Sequence, residues 1–166
     1  MQKYWINRRT PTFVFEAMEC HGGVGYVEES VMPRLFRESP LNSIWEGSGN
    51  VITLDVLRTL AREPDAIDAY VAEIEPAQGA DRRLDAAVKA LKQAIIDDGA
   101  HEFAARRLGE AMALVLQGAL LVRHAPAPIA DAFCASRLGG DWGFAFGTLP
   151  GGADLDAIID RVRPPA

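Results

Sequence analysis

Glu46 lies between Trp45 and the small polar run Gly47-Ser48-Gly49-Asn50, and that setting suits two kinds of chemistry. A carboxylate entering a helix is favoured by the positive end of the macrodipole, a purely structural role. A carboxylate can also serve as a general base once burial moves its pKa toward the working pH, and Trp45 is the neighbouring source of apolar cover. Ser48, Gly49 and Asn50 lead into the helix start, where free N–H groups and short polar side chains suit an anion or the polar edge of a cofactor. Ser48 as a plain helix cap is the simpler alternative. Gly22-Gly23-Val24-Gly25-Tyr26 is the second candidate. Its glycines either close a helix in the left-handed region or let the backbone approach a cofactor. Arg34 and Arg37-Glu38 read as a surface ion-pair cluster worth little, or as support for a subunit contact or anion site. His21, His101 and His124 lack metal-like spacing with any Cys or acid partner, so no metal site is expected. There is no nucleophile elbow, phosphate loop or CxxC.

The elements that must position these residues all read helical, and no run sustains the period-2 alternation of a strand. The fold class is therefore all-α, a helical bundle. Gln2 to Arg9 has helical composition but no cap, leaving first-turn N–H groups without side-chain partners, as in a piece cut from a longer chain. Thr10-Pro11 reads as an N-cap and first-turn pair opening a helix through about Cys20, which Gly22-Gly23 ends. Glu28 to Arg37 reads as a short helix broken near Met32-Pro33. From Ser48 to about Arg62, Val51, Leu54, Val56, Leu57 and Leu60 form the inward stripe, with Ser48 or Asn50 as cap. One side of that helix and the Tyr4-Trp5-Ile6 cluster are expected to form an exposed apolar surface.

Glu63-Pro64-Asp65 marks the clearest boundary, because proline disfavours helix in the residue before it. Asp65 is placed to cap a helix to about Glu75, and Asp81 to open one carrying Leu84, Val88, Leu91 and Ile95. Asp97-Asp98-Gly99 ends that helix. The next runs from Ala100 to about His124 and carries Phe103, Leu108, Met112, Val115, Leu116 and Leu120. Residues 111–122 hold no charge, so most of its circumference should be buried. Ile129 to Leu138 forms another helix, Gly139 to Gly152 a loop holding Trp142, Phe144 and Phe146, and Asp154 caps a last helix to about Val162.

The 166 residues suffice for one domain with a real core, and 49% hydrophobic residues make the composition globular. No apolar run approaches the roughly 18 residues that span a bilayer, so no membrane role is expected. Cys20 and Cys134 are too few for a disulfide framework, which points to a reducing, cytoplasmic setting. The net charge of −6 divides into −2 over residues 1–65 and −4 over 66–166, against a strong non-specific grip on nucleic acid.

Gly22-Gly23-Val24-Gly25-Tyr26, Arg34-Leu35-Phe36-Arg37-Glu38 and Ser43-Ile44-Trp45-Glu46-Gly47-Ser48-Gly49-Asn50 together resemble the C-terminal signature of the acyl-CoA dehydrogenase superfamily. The Trp-Glu-Gly-Ser-Gly-Asn variant, with Glu28-Glu29-Ser30 after the tyrosine, is most similar to the alkylation-response (AidB-type) branch. The resemblance implies FAD as cofactor. It sets Gly22 and Gly23 against the adenosine-diphosphate end, often of a flavin held mainly by a neighbouring subunit. Trp45, Gly47, Ser48, Gly49 and Asn50 are implied FAD contacts, with Asn50 the best single candidate. Glu46 aligns with the catalytic base that removes the α-proton of an acyl thioester as hydride passes to the flavin. Glu19 stands where the family commonly has glutamine, so it is expected to face ribose or solvent.

The resemblance further implies a homo-oligomer, a tetramer, and acyl-CoA or a related substrate. Residues 1–62 correspond to the end of the dehydrogenase C-terminal helical domain. Residues 66–166 resemble the extra C-terminal helical domain that this branch associates with double-stranded DNA. Candidate DNA contacts are Arg82, Arg83, Lys89, Lys92, Arg106 and Arg107, although the net −4 departs from the basic surface such a role needs. In the family the signature closes a chain several times longer, whereas here it begins about twenty residues after Met1. The expectation is a C-terminal part whose middle β domain lies elsewhere, inactive and unable to retain FAD alone. The alternative is a non-catalytic helical module that binds DNA or a partner subunit in the alkylation-stress response.

Overall fold

The computed structural model describes residues 1–98 and 101–164. Every regular element among them is helical, as the absence of period-2 patterning requires. The chain divides into two compact units, one of residues 1–62 with 98–110, the other of 63–97 with 111–166.

The first unit is built on α1 (Gln2–Glu19), which packs against α2 (Gly23–Tyr26), α3 (Met32–Glu38), a 3-10 turn (Leu41–Ser43) and α4 (Gly49–Arg62). Three sequence expectations change here. Pro11 lies inside α1 and does not open a helix, and the Thr10 hydroxyl donates back to the Ile6 carbonyl (3.0 Å) where a cap was expected. An interior proline costs about 3 kcal/mol, so the packing of α1 on its neighbours outweighs local preference. Pro33 starts α3 and does not break it, since a first-turn proline lacks only an N–H that would be unpaired anyway. The inward face of α4 is Gly49, Thr53 and Leu57, while Val51 points outward.

Small residues take that face because two other helices come close. A Cβ on Gly49 would stand 3.4 Å from the Tyr4 ring and 3.2 Å from Arg8 Nη1. One on Gly109, near the start of α7 (Ala105–His124), would stand 3.2 Å from Thr53 Cγ2 and 3.6 Å from Tyr4. Tyr4 is accordingly buried in this unit and does not contribute to an exposed cluster, and the buried Thr53 hydroxyl is satisfied by the Gly49 carbonyl at 3.0 Å.

The second unit comprises α5 (Pro64–Ile74), a 3-10 turn (Glu75–Ala77), α6 (Arg82–Asp98), the later turns of α7, α8 (Ala127–Phe133) with a π-turn (Cys134–Leu138), and α9 (Leu155–Val162). Pro64 is the first residue of α5 and Glu63 its flank, so Asp65 sits in the first turn and not at the cap. Asp81 caps α6, accepting from the N–H groups of Arg83 (2.7 Å) and Leu84 (3.3 Å), and Asp154 caps α9 through Ala157 N–H at 3.0 Å. Ile74, Leu84, Leu91, Met112, Val115 and Cys134 form the core. Gly118 lets α7 cross its neighbours, since a Cβ there would meet Leu138 Cδ1 at 2.8 Å.

The expected break at Gly99 and helix start at Ala100 lie outside the described residues. Phe103 sits in a 3-10 turn (Glu102–Ala104) ahead of α7 and is 84% exposed, so it is no part of that helix's apolar face.

Candidate functional site

The segment from Ile44 to Ser48 joins the 3-10 turn to α4 and is pinned to the first turns of α1 by side chains. Lys3 Nζ donates to the carbonyls of Trp45 (2.6 Å) and Glu46 (2.9 Å). Asn7 Nδ2 donates to the Asn42 carbonyl (2.9 Å), and Trp45 Nε1 donates to Asn42 Oδ1 (3.2 Å). Under these constraints Glu46 adopts φ 52°, the only positive φ on a non-glycine residue among those described, and Gly47 follows at φ 109°. The Glu46 side chain is exposed, and Trp45 is itself 54% exposed, so the apolar cover expected from Trp45 does not form within this chain.

The Ser48 carbonyl accepts the first helical bond, from Ile52 N–H at 3.0 Å, which puts Ser48 at the N-cap position of α4. Gly49 is buried against Tyr4 and Arg8, so its missing side chain serves helix packing. Asn50 is exposed, and its Oδ1 accepts from Arg106 Nε at 2.8 Å. Lys3 and Arg106 are the participants that the sequence did not single out for this site. They lie 42 and 56 residues from their partners, a separation that leaves no local pattern.

The Gly22-Gly23 segment lies elsewhere. Lys3 holds the Glu46 loop at the first turn of α1, whereas Gly22 follows the last. From Lys3 to Glu19 is roughly 24 Å of helix at 1.5 Å per residue. Gly22 has φ 59° and ψ −145°, a conformation open to glycine alone. Gly25 is buried, and a Cβ there would stand 2.3 Å from the Met18 carbonyl oxygen. Gly23 has neither demand: a Cβ would meet nothing within 4 Å. Nearby, Arg37 pairs bidentately with Glu28 (2.7 and 3.0 Å) and Arg34 with Glu38 (3.0 Å), the surface ion-pair arrangement. The Arg37 guanidinium holds the Glu28 carboxyl below its ordinary pKa.

Among the six cations considered for DNA, Arg83 is held by Asp81 (2.6 Å) and Asp131 (2.7 Å), and Arg106 by Asn50. Lys89 and Lys92 share a groove with Glu75 and Asp85. Among the described residues no group of three or more His, Cys, Asp or Glu could hold a metal ion, and no helix is long and apolar enough to cross a membrane.

With this geometry in place, residues 1–61 match the family described as acyl-CoA dehydrogenase, C-terminal domain, and the chain belongs to the acyl-CoA dehydrogenase family. It is 42% identical over 136 residues to the putative acyl-CoA dehydrogenase AidB of Escherichia coli (strain K12), covering 82% of this chain and 25% of that protein. It is 31% identical over 142 residues to acyl-CoA dehydrogenase family member 11 of Caenorhabditis elegans, covering 74% of this chain and 23% of the relative. Its fold is similar to that of C. elegans ACDH-11, crystallised in complex with C11-CoA. The TM-score is 0.68 at 23% identity, over 82% of this chain and 28% of that one. The chain spans about a quarter of the length of the curated relatives it matches.

Members of the family are FAD-dependent. Two separate places here have the chemistry to touch such a cofactor. At the Glu46 loop Trp45 offers an exposed ring and Ser48 and Asn50 offer polar groups at a helix start, while at the far end of α1 Gly23 has open space where a Cβ would stand.

Proposed function

We propose that this chain forms one edge of the flavin site in an FAD-dependent acyl-CoA dehydrogenase-like oxidoreductase of the DNA alkylation-response type, with Glu46 as its base. The observation that carries this reading is the backbone at Glu46. A glutamate at φ 52° costs about 1–3 kcal/mol, and such strain collects at functional sites. Lys3 clamps the carbonyls on both sides of that residue, yet the Glu46 carboxylate pairs with nothing among the described residues. The loop thus holds an acid outward in a fixed place.

FAD, when bound, supplies the hydride acceptor. Glu46 takes the α-proton of an acyl thioester on its carboxylate oxygen. Apolar cover for that carboxylate comes from outside this chain, since Trp45 is itself exposed, and Ser48 and Asn50 hold the polar edge of the cofactor. Binding of C11-CoA by ACDH-11 supports acyl-CoA as the substrate class. Gly22-Gly23, roughly 24 Å away along α1, serves the adenosine-diphosphate portion of a flavin held mainly by a neighbouring subunit. A homo-oligomer, a tetramer in this family, fits that separation. It also fits the apolar groove beside Gly25 lined by Phe15, Met18, Tyr26, Val27 and Phe36.

The alternative of a DNA-binding module has less support, since two of its six candidate cations are already engaged. The test is Glu46→Gln in the flavin-loaded full-length protein, which keeps size and hydrogen bonding but removes the base. Flavin reduction by acyl-CoA should fall by about 10²- to 10⁴-fold, the usual worth of general-base catalysis, with flavin content unchanged. Undiminished reduction would move the base elsewhere and leave this loop as scaffold.

A further inference from the structure

We propose that Arg106, which lies outside the stretch matching the family's C-terminal domain, is a positioning residue that fixes Asn50 as a hydrogen-bond donor to the bound cofactor. The inference rests on the reading of Asn50 as a flavin contact. Arg106 and Asn50 belong to the same compact unit. They meet because α7 starts directly against the first turn of α4. Gly109 allows the approach, its α-carbon facing Thr53 Cγ2 and Tyr4. One turn earlier on each helix stand Arg106 and Asn50, their side chains joined at 2.8 Å. The same i, i+3 step on both helices sets the two contacts side by side.

The chemistry of the two groups decides what the contact does. A guanidinium carries donors only, so the amide atom facing Arg106 Nε is the oxygen. The Asn50 Nδ2 then points away from Arg106 on an exposed side chain at the head of α4. A free asparagine samples both amide orientations and offers a ligand an acceptor half the time. With Arg106 in place it offers two N–H donors, aimed where the α4 N-terminus already favours electron-rich groups. The complement is an acceptor edge, such as a carbonyl or an anionic oxygen of the cofactor. The ion-dipole bond also holds the side chain in one rotamer before the cofactor arrives, which lowers the ordering cost of binding.

The experiment is a titration of flavin-stripped full-length protein with FAD, read by quenching of flavin fluorescence. Asn50→Asp keeps an acceptor for Arg106 but removes the amide donors, and should weaken FAD binding by about tenfold. Arg106→Met should weaken it by a similar factor, with Arg106→Lys recovering part of the loss. In an Asn50→Ala background, adding Arg106→Met should cost less than about twofold, because two residues acting as one unit are not additive. Arg106→Lys and Asn50→Asp keep the test decisive if Arg106→Met does not fold. If Asn50→Ala weakens binding but Arg106→Met leaves it unchanged, Asn50 acts without Arg106 and the proposal is overturned. If Asn50→Ala itself has no effect, the flavin-contact reading of Asn50 fails and the proposal falls with it. Equal, additive losses from both single variants would show two independent contacts and would likewise overturn it.

Discussion

Two glycines two residues apart should respond oppositely to the same substitution. A methyl on Gly25 would lie 2.3 Å from the Met18 carbonyl oxygen and 2.9 Å from His21 Cβ, where ordinary contacts begin near 3.4 Å. The first obstacle is backbone, so α2 must move by about an ångström from the end of α1. Overpacking of this kind costs about 1–3 kcal/mol. The entropy that alanine removes from the unfolded chain returns only about 0.4–1 kcal/mol. Gly25→Ala should therefore lose about 1–2 kcal/mol, or roughly 2–8 °C in Tm for a chain of this size. At Gly23 the methyl meets nothing within 4 Å, and no positive φ stands in its way. Gly23→Ala should gain about 0.4–1 kcal/mol. Urea midpoints followed by far-UV circular dichroism would report both. If Gly23 serves a cofactor, the more stable Gly23→Ala should bind FAD more weakly, so stability and affinity part company. A destabilised Gly23→Ala, or a Gly25→Ala as stable as the parent, would refute the division of roles.

Other outcomes follow from single groups. The Arg83 side chain, then the N–H groups of Arg83 and Leu84, hold the Asp81 carboxyl below its ordinary pKa. The sign is that of a lowered folded pKa, so its stabilisation is present above the unfolded value of about 3.9 and is lost as pH falls through the folded one. Asp81→Asn should lower the neutral-pH urea midpoint and flatten its acid limb; an unchanged acid limb would count against it. Burial pushes the Cys134 thiol up to about 11, whereas Cys20 is exposed. A thiol reagent at mildly alkaline pH should label Cys20 alone in the native protein, and a peptide map showing both modified at one rate would contradict this. Glu46→Gly should leave the unfolding midpoint unchanged or raised, because relief of about 1–2 kcal/mol of left-handed strain offsets about 0.5–1 kcal/mol of added chain entropy. A clear drop in the midpoint would show that the loop conformation is not strained.

The parts of this fold that were legible in the sequence are those decided within a turn or two of helix. Asp81 and Asp154 each precede an apolar-periodic run and each caps a helix, because capping needs only a short side chain and the next N–H groups. Pro64 marks a helix boundary as read, but Pro11 and Pro33 were less readable. Pro11 rides inside a helix that packing on its neighbours holds, while Pro33 falls in a first turn, where the missing N–H would be unpaired anyway. Phe103 fits the apolar spacing of α7 yet precedes it in a tighter turn, where the 3.6 period no longer applies. On α4 Leu57 of the expected stripe is buried but Val51 is exposed, since the close approach of Tyr4 and Gly109 selects Gly49 and Thr53 over the larger Val51. At the site, the family resemblance of the motif brought Glu46 and Asn50 forward, but their holders Lys3 and Arg106 come from distant segments whose local sequence looks like ordinary solvated charge.

The positive-φ positions sort these segments by purpose. Wherever else the described backbone turns into that region, at Gly22, Gly47, Gly79, Gly140, Gly147 and Gly152, the residue is glycine and the turn is nearly free of strain. Position 46 is the exception, and its backbone needs nothing that glycine would not supply more cheaply. Packing does not demand the side chain, which is exposed, and no ion pair among the described residues uses it. Two hydrogen bonds from Lys3 instead oppose the strain and keep the loop from relaxing. A carboxylate kept at a strained position, clamped from behind and unpaired in front, is arranged for something outside these residues. That is why the strained backbone, more than the motif around it, supports a chemical role for Glu46.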